Sequence, residues 1–169
     1  MSLLTFLMIA AAIALMVGPV MMLQPSARQR QLIALRAQAL NMGLKVRMSR
    51  HKGNSIAEYY SSWTLADNEK FCGEIWSLQR QNIEHEIHFH RDWNWEGPPV
   101  KNQSLLNTLH QLLDECPRSI VGLSATPMGV SCLWQERGGE VELQKVGEML
   151  SQLSSACASF AAIPADGCG

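Results

Sequence analysis

The sequence predicts an α+β fold: an N-terminal transmembrane helix and a stalk helix, followed by an antiparallel sheet with helices packed on one face. Three observations lead to this prediction. Residues 1–27 contain no charged side chain, residues 44–90 alternate between apolar and polar side chains, and apolar side chains recur at helical spacing in residues 105–116 and 146–157. Consecutive strands with helices interleaved later are typical of an antiparallel sheet whose helices lie on one side.

Residues 1–24 are predicted to form a transmembrane anchor. The stretch Leu3–Leu23 contains only neutral side chains, and a helix of about 21 residues, at about 1.5 Å per residue, spans a hydrocarbon core of about 30 Å. A cleaved signal peptide is the alternative, but it needs a basic start and a shorter apolar stretch. The expectation is therefore a retained helix that contacts membrane lipid through residues 3–23.

The positive charges after the anchor predict its orientation. Seven Lys and Arg side chains precede the first acidic residue, Glu58, and an excess of Lys and Arg marks the cytoplasmic flank of a membrane helix. The predicted location is the bacterial inner membrane, as a single-pass protein with its N-terminus outside and its C-terminal domain in the cytoplasm. Arg28, Arg30 and Arg36 are expected at the membrane surface. A sensor of anionic lipid that uses residues 28–52 is one alternative function.

The chain after the anchor is predicted to consist of a basic stalk helix over residues 25–43, a cytoplasmic α+β domain over 44–157 and a flexible tail over 158–169. Ser26 is a good N-cap for the stalk helix, and Gly43 is a good C-terminal stop. Within the domain, the apolar periods predict four strands in an antiparallel meander, a helix capped by Asn102 or Ser104, a hairpin and a last helix. The expected strands are 44–49, 59–65, 72–78 and 83–90, and the hairpin covers 120–137 with its turn at 126–129.

The composition limits which kinds of partner and which cellular compartment are expected for this protein. About 145 residues follow the anchor, which is enough for one domain with a real core. All fifteen acidic residues lie at or beyond Glu58, although the whole chain has a formal net charge of only −1. The domain is therefore acidic, and no nucleic-acid partner is expected. Five scattered cysteines are expected to be free thiols in a reducing compartment; they are Cys72, Cys116, Cys132, Cys157 and Cys168.

The densest cluster of candidate metal ligands is the segment His85–His90. His88 and His90 share one face of the predicted strand, and neighbouring carboxylates lie on the same face. A zinc site needs three or four converging ligands, and this face supplies only two histidines. We therefore predict no metal and no cofactor, and a membrane-tethered metal-dependent hydrolase that uses this cluster is kept as an alternative. Cys116, beside Arg118, is the least implausible nucleophile, and no catalytic residue is predicted.

Two tryptophans are the predicted partner-binding residues. Trp93 and Trp95 flank Asn94 in an expected loop over Asp92–Pro99, and tryptophan is enriched at interaction hot spots. The alternative is that the tryptophan rings fill the core between sheet and helices, as expected for Trp63, Trp76 and Trp134. The leading hypothesis is a non-enzymatic accessory protein that presents its cytoplasmic domain to a protein partner, such as an integral membrane complex.

The front of the chain resembles a group of uncharacterised single-pass inner-membrane proteins of bacteria. The resemblance is carried by the uncharged span that ends Met21-Met22-Leu23, by the run Gln24–Arg30, by Leu35-Arg36 and by Gly43–Val46. Some proteins of this group are described as similar to YajC, the accessory subunit of the preprotein translocase. The resemblance covers residues 1–48 and implies a membrane-anchored accessory protein.

Overall fold

The structure, a computed structural model, describes residues 3–22, 25–63, 74–81 and 89–161. Within these ranges the chain forms an α+β fold of four helices and one six-stranded antiparallel sheet. The elements in chain order are α1 Leu3–Met22, α2 Ala27–Asn41, β1 Lys45–His51, β2 Asn54–Ser62, β3 Trp76–Arg80, β4 Trp93–Trp95, α3 Gln103–Asp114, β5 Ile120–Thr126, β6 Gly129–Trp134 and α4 Gly139–Ala161.

The chain divides into two compact units, Met1–Ala34 and Leu35–Gly169; the second is called the folded unit below. The first unit contains α1, a helix of 20 residues. Over the part of the chain that the structure describes, no helix meets the length and hydropathy expected of a membrane span. The transmembrane role of residues 1–24 stays a prediction.

The predicted second helix is present as α2 and begins with a capping box. The Ser26 hydroxyl accepts a hydrogen bond from the Gln29 amide at 3.2 Å, and the Gln29 side chain accepts one from the Ser26 amide at 2.8 Å. The helix ends just before Gly43, which has a φ of 80°. The domain boundary predicted at residue 44 needs correction, because Leu35 and Ala39 of α2 are buried in the core of the folded unit.

The sheet has the strand order β1-β2-β6-β5-β3-β4. The predicted meander is therefore wrong: β2 and β3 do not pair, because the β5–β6 hairpin lies between them. Every residue of β6 except Leu133 is buried, as expected for a central strand. The hairpin itself and its turn before Gly129 are confirmed. The predicted fourth strand lies mostly outside the described residues, and the predicted loop over 92–99 contains strand β4.

The core lies on one face of the sheet, between the strands and helices α2, α3 and α4. Alternate strand residues point to this face, and three leucines of α3 meet them: Leu105, Leu109 and Leu113. The side chain of Asn102 accepts hydrogen bonds from the Ser104 and Leu105 amides at 2.9 and 3.3 Å, which decides between the two predicted caps. The prediction of an antiparallel sheet with helices on one face is thus confirmed.

Candidate functional site

The candidate site is the face of the sheet opposite to the helices, which we call the open face. Strand alternation directs Ser77 of β3, Ser124 of β5 and Ser131 of β6 to this face, and the register places them side by side across three strands. The hydroxyl oxygens of Ser124 and Ser131 are 2.8 Å apart and hydrogen-bonded. The buried residues of α2, α3 and α4 pack against the other face, so the serine row is directed away from the core.

On one side of the serine row lies a bidentate ion pair between β1 and β2. The Arg47 guanidinium donates two hydrogen bonds of 2.8 Å to the Glu58 carboxylate, and Glu58 is only 6% exposed. Burial raises the pKa of Glu58, but hydrogen bonds from Arg47, Ser131 and Ser49 together lower it below its usual value. Glu58 is therefore an ionised carboxylate near neutral pH, held in place by three side chains.

On the other side of the row lies the exposed carboxylate of Glu96. It accepts a hydrogen bond from the Ser77 hydroxyl at 3.3 Å and another from the Gln79 side-chain amide. The Glu96 amide donates to the Ser77 carbonyl at 2.8 Å, which fixes the segment after β4 against β3. The open face thus carries a carboxylate on each side of a hydroxyl row.

A shallow cavity of about 290 Å³ occupies the open face. Residues of β1 and β2 and residues of β3 and β5 line the same cavity, so the sheet curves around it. Gly122 forms part of the floor, and a methyl group there would lie 2.9 Å from Leu133 Cδ1. His51 lies at the rim; burial and the charge of Lys52 lower its pKa, and Glu96 opposes that shift. The cavity therefore offers neutral and charged hydrogen-bonding groups.

The serine hydroxyls of the open face form hydrogen bonds with one another and with carboxylates. Activation of a serine nucleophile requires a base within hydrogen-bond reach. Among the described residues, the serine hydroxyls of this face contact each other or a carboxylate, and none of them is hydrogen-bonded to a histidine. The face can donate to and accept from a bound polar segment.

The structure corrects the expectation for Trp93. Strand β4 pairs with β3, and this register turns Trp93 towards the helices, where it is 0% exposed. The Arg80 guanidinium lies 4.7 Å from the centre of its ring. Trp93 is therefore a core residue and not part of an exposed loop. Trp95 is half-buried beside Phe89, with ring centres 4.6 Å apart, and its partner-binding role stays a prediction.

The predicted histidine cluster is described only in part. His90 Nε2 lies 2.9 Å from Asp114 Oδ1, and its ring is 4.9 Å from that of His110. The hydrogen bond from His90 is the largest influence on Asp114 and lowers the pKa of that carboxyl group. Within the described ranges, no three His, Cys, Asp or Glu side chains are placed to hold a metal ion. His85 and His88 lie outside those ranges.

The predicted membrane-surface arginines have two different surroundings. Arg28 and Arg30 are exposed, and their place at a membrane surface stays a prediction. Arg36 instead donates two hydrogen bonds of 2.7 Å to the buried carboxylate of Glu136, and the Tyr59 hydroxyl donates a third to the same carboxylate at 2.7 Å. Burial raises the pKa of Tyr59 well above its usual value. Arg36 therefore joins α2 to the sheet and is not a free surface cation.

The structure describes the surroundings of Cys116, the cysteine that was weighed as a nucleophile from the sequence. Burial raises the pKa of the Cys116 thiol to about 12, although the nearby Arg80 acts in the opposite direction. A thiol with that pKa is protonated at neutral pH and is a poor nucleophile. Cys132 and Cys157 are buried free thiols, as expected, and Cys72 and Cys168 lie outside the described residues.

No family model matches this chain, and neither does any curated protein or solved structure. The candidate site is therefore defined by the geometry of the open face. None of the described residues that were predicted as site residues from the sequence lies on this face. Its signal is the set of polar residues at alternate strand positions, namely Ser77, Gln79, Ser124 and Ser131.

Proposed function

We propose that the protein is a non-enzymatic, membrane-anchored interaction protein that binds a segment of a partner protein on its open face. The observation that carries this proposal is the curved sheet face opposite to the core. Within the described ranges, its serine hydroxyls and carboxylates form hydrogen bonds with one another and no serine is paired with a histidine base. Helix α1 is inserted in the bacterial inner membrane, and the folded unit lies in the cytoplasm.

The dimensions of the open face suit a modest interface. Six strands about 4.8 Å apart are about 24 Å wide, and seven residues of a strand are about 23 Å long. The resulting area of about 550 Å² per partner is at the low end of specific interfaces. The partner segment is expected to be polar, because the surface offers a hydroxyl row between two carboxylates and few apolar groups. A small and polar interface of this kind is typical of partners that associate reversibly.

The anchor is supported by the charge pattern of the sequence. Twenty-seven residues without a charged side chain are followed by seven cations before the first acid, which is the pattern of a membrane helix with a cytoplasmic C-terminal flank. A tethered domain meets a membrane-bound partner at a high effective concentration, so a modest interface is sufficient. The resemblance of residues 1–48 to YajC-like proteins agrees with an accessory role in the membrane.

Replacing Ser124 with arginine is expected to abolish recovery of the partner. Ser124 is half-buried at the centre of the open face, and a long cation there fills the cavity while its charged end still reaches water. The measurement is the amount of partner that co-purifies with the full-length chain from membranes crosslinked in living cells. We expect a loss of about tenfold or more, equivalent to about 1.4 kcal/mol or more.

The matched control is Gln144→Arg, which adds the same charge to an exposed position of α4 on the helix side. This variant should recover as much partner as the unchanged chain. Far-UV circular dichroism and the unfolding midpoint confirm that both variants fold. Equal recovery with Ser124→Arg, or an equal loss with both variants, would rule out the open face as the binding surface.

A further inference from the structure

A second cavity, of about 560 Å³, lies at one end of the sheet. Antiparallel pairing brings three connections to this end, because Ala57 and Ile120 both pair with Trp134 at the end of β6. The connections are the β1–β2 turn, the segment that precedes β5 and the segment that follows β6. This volume is within the range of about 300–1,000 Å³ that is usual for small-molecule sites.

Each of the three connections contributes one cation to the cavity: Lys52, Arg118 and Arg137. All three side chains are exposed, and none forms an ion pair with a described residue. A backbone hydrogen bond of 2.9 Å from Gln135 to Ser119 holds two of these connections together. The three charges therefore converge on one space without a neutralising partner.

The rest of the lining does not cancel this charge. No described acidic side chain lines the cavity, and Asn54, Ser55 and Gln135 supply neutral hydrogen-bonding groups. Arg80 also borders it, but this guanidinium is paired with Asp92 at 2.9 Å and donates to the Pro117 carbonyl at 2.8 Å. The net charge that faces the cavity is therefore positive.

A hairpin turn fixes the position of the Lys52 backbone at the cavity. His51 pairs directly with Asn54, so Lys52 and Gly53 form a two-residue loop. Both loop residues have positive φ, 48° and 82°, as in a type I′ turn. A non-glycine residue rarely adopts this conformation, and at Lys52 the turn that requires it joins two long paired strands.

We propose that this cavity binds a phosphate-bearing anion. Three converging cations repel one another when the cavity is empty, and a phosphate group offers oxygens that accept charge-assisted hydrogen bonds from both guanidinium groups. The source of the phosphate is either a soluble phosphorylated compound or an anionic lipid headgroup. Arg137 directly follows Glu136, the partner of Arg36, so the cavity is at the end of the folded unit where the chain enters it.

The test uses the full-length chain in neutral detergent micelles, with inorganic pyrophosphate as the probe and calorimetry at constant ionic strength as the measurement. We expect saturable binding by the unchanged chain. Arg118→Gln combined with Arg137→Gln should weaken the affinity about tenfold or more, because both charge-assisted hydrogen bonds from the guanidinium groups are lost. The same two positions changed to lysine should retain most of the affinity.

The matched control is Lys101→Gln combined with Lys145→Gln, which removes two exposed cations outside this cavity and should change the affinity by less than about twofold. Adding phosphatidylglycerol to the micelles distinguishes a lipid headgroup from a soluble phosphorylated compound as the source of the phosphate. Loss of pyrophosphate binding identifies a lipid headgroup as the occupant, and retained binding identifies a soluble compound. Absence of saturable binding by the unchanged chain, or an equal loss in the control, would overturn the proposal while leaving the open-face function untouched.

Discussion

Replacing Trp93 with alanine should lower the free energy of unfolding of the folded unit by about 3–5 kcal/mol, the usual cost of removing a large buried aromatic ring. Trp93 exposes none of its surface, and its ring is covered by the Arg80 guanidinium. The change leaves a cavity between β4 and the helices and removes the cation–π contact. Urea unfolding of the full-length chain in neutral detergent, followed by far-UV circular dichroism, measures this loss.

Trp95→Ala is the matched control for Trp93→Ala. Trp95 lies two residues away on the same short strand but is only half-buried, so its removal should destabilise the folded unit clearly less. Destabilisation by Trp93→Ala of under about 0.5 kcal/mol, the usual range for surface substitutions, would contradict the burial of Trp93 in the core and would make it a candidate partner contact again.

Replacing Glu136 with glutamine should lower the free energy of unfolding by about 2–3 kcal/mol, because hydrogen bonds to charged groups are worth about 1.5–3 kcal/mol. The Glu136 side chain is 7% exposed and accepts from both Arg36 and Tyr59. The amide of glutamine turns one acceptor oxygen into a donor, which then faces the guanidinium of Arg36. The same unfolding assay measures the effect, and we expect α2 to become the first element to exchange its amide hydrogens.

Glu148→Gln provides the control for Glu136→Gln. Glu148 is exposed in the middle of α4, and the same chemical change there should alter stability by no more than about 0.5 kcal/mol. Equal effects of the two substitutions, or unchanged amide exchange in α2 of the Glu136 variant, would contradict the role of Glu136 in joining α2 to the sheet.

Local signals in the sequence predicted a large part of the fold. The Ser26 and Asn102 caps, the stop at Gly43 and the β5–β6 hairpin each depend on neighbouring residues. A capping side chain lies within three residues of the amides that it caps. The pattern can therefore be recognised in the sequence without knowledge of tertiary contacts. The packing of the helices on one face of the sheet was likewise predicted from the regular spacing of apolar residues.

Long-range pairing was not predictable in the same way. The meander was wrong because strand order depends on contacts between distant residues, and neighbouring strands in sequence pair only about two thirds of the time. Arg36 and Glu136 are separated by 100 residues, so nothing in the basic segment distinguished Arg36 from Arg28. Trp93 was assigned to the surface because its neighbours are polar and loop-like, whereas pairing of β4 with β3 buries it.

The candidate site needed the sheet order before it could be recognised. Ser77 and Ser124 are 47 positions apart in sequence and become neighbours only because β3 pairs with β5. The cationic cavity has the same origin: its three cations lie in connections that the strand order brings to one end of the sheet. Isolated polar residues in alternating strands are ordinary solvent-facing positions until their register is known.

Photo-crosslinking from Tyr60 in intact membranes tests most directly whether the open face binds a partner. Tyr60 is half-buried on this face, level with Ser131, so replacing it with the photoreactive amino acid benzoylphenylalanine is a conservative change. We expect one discrete crosslinked protein from Tyr60 and none from the same amino acid at Gln144. A crosslink from Gln144 alone, or no crosslink from Tyr60 in a correctly folded chain, would contradict partner binding by the open face.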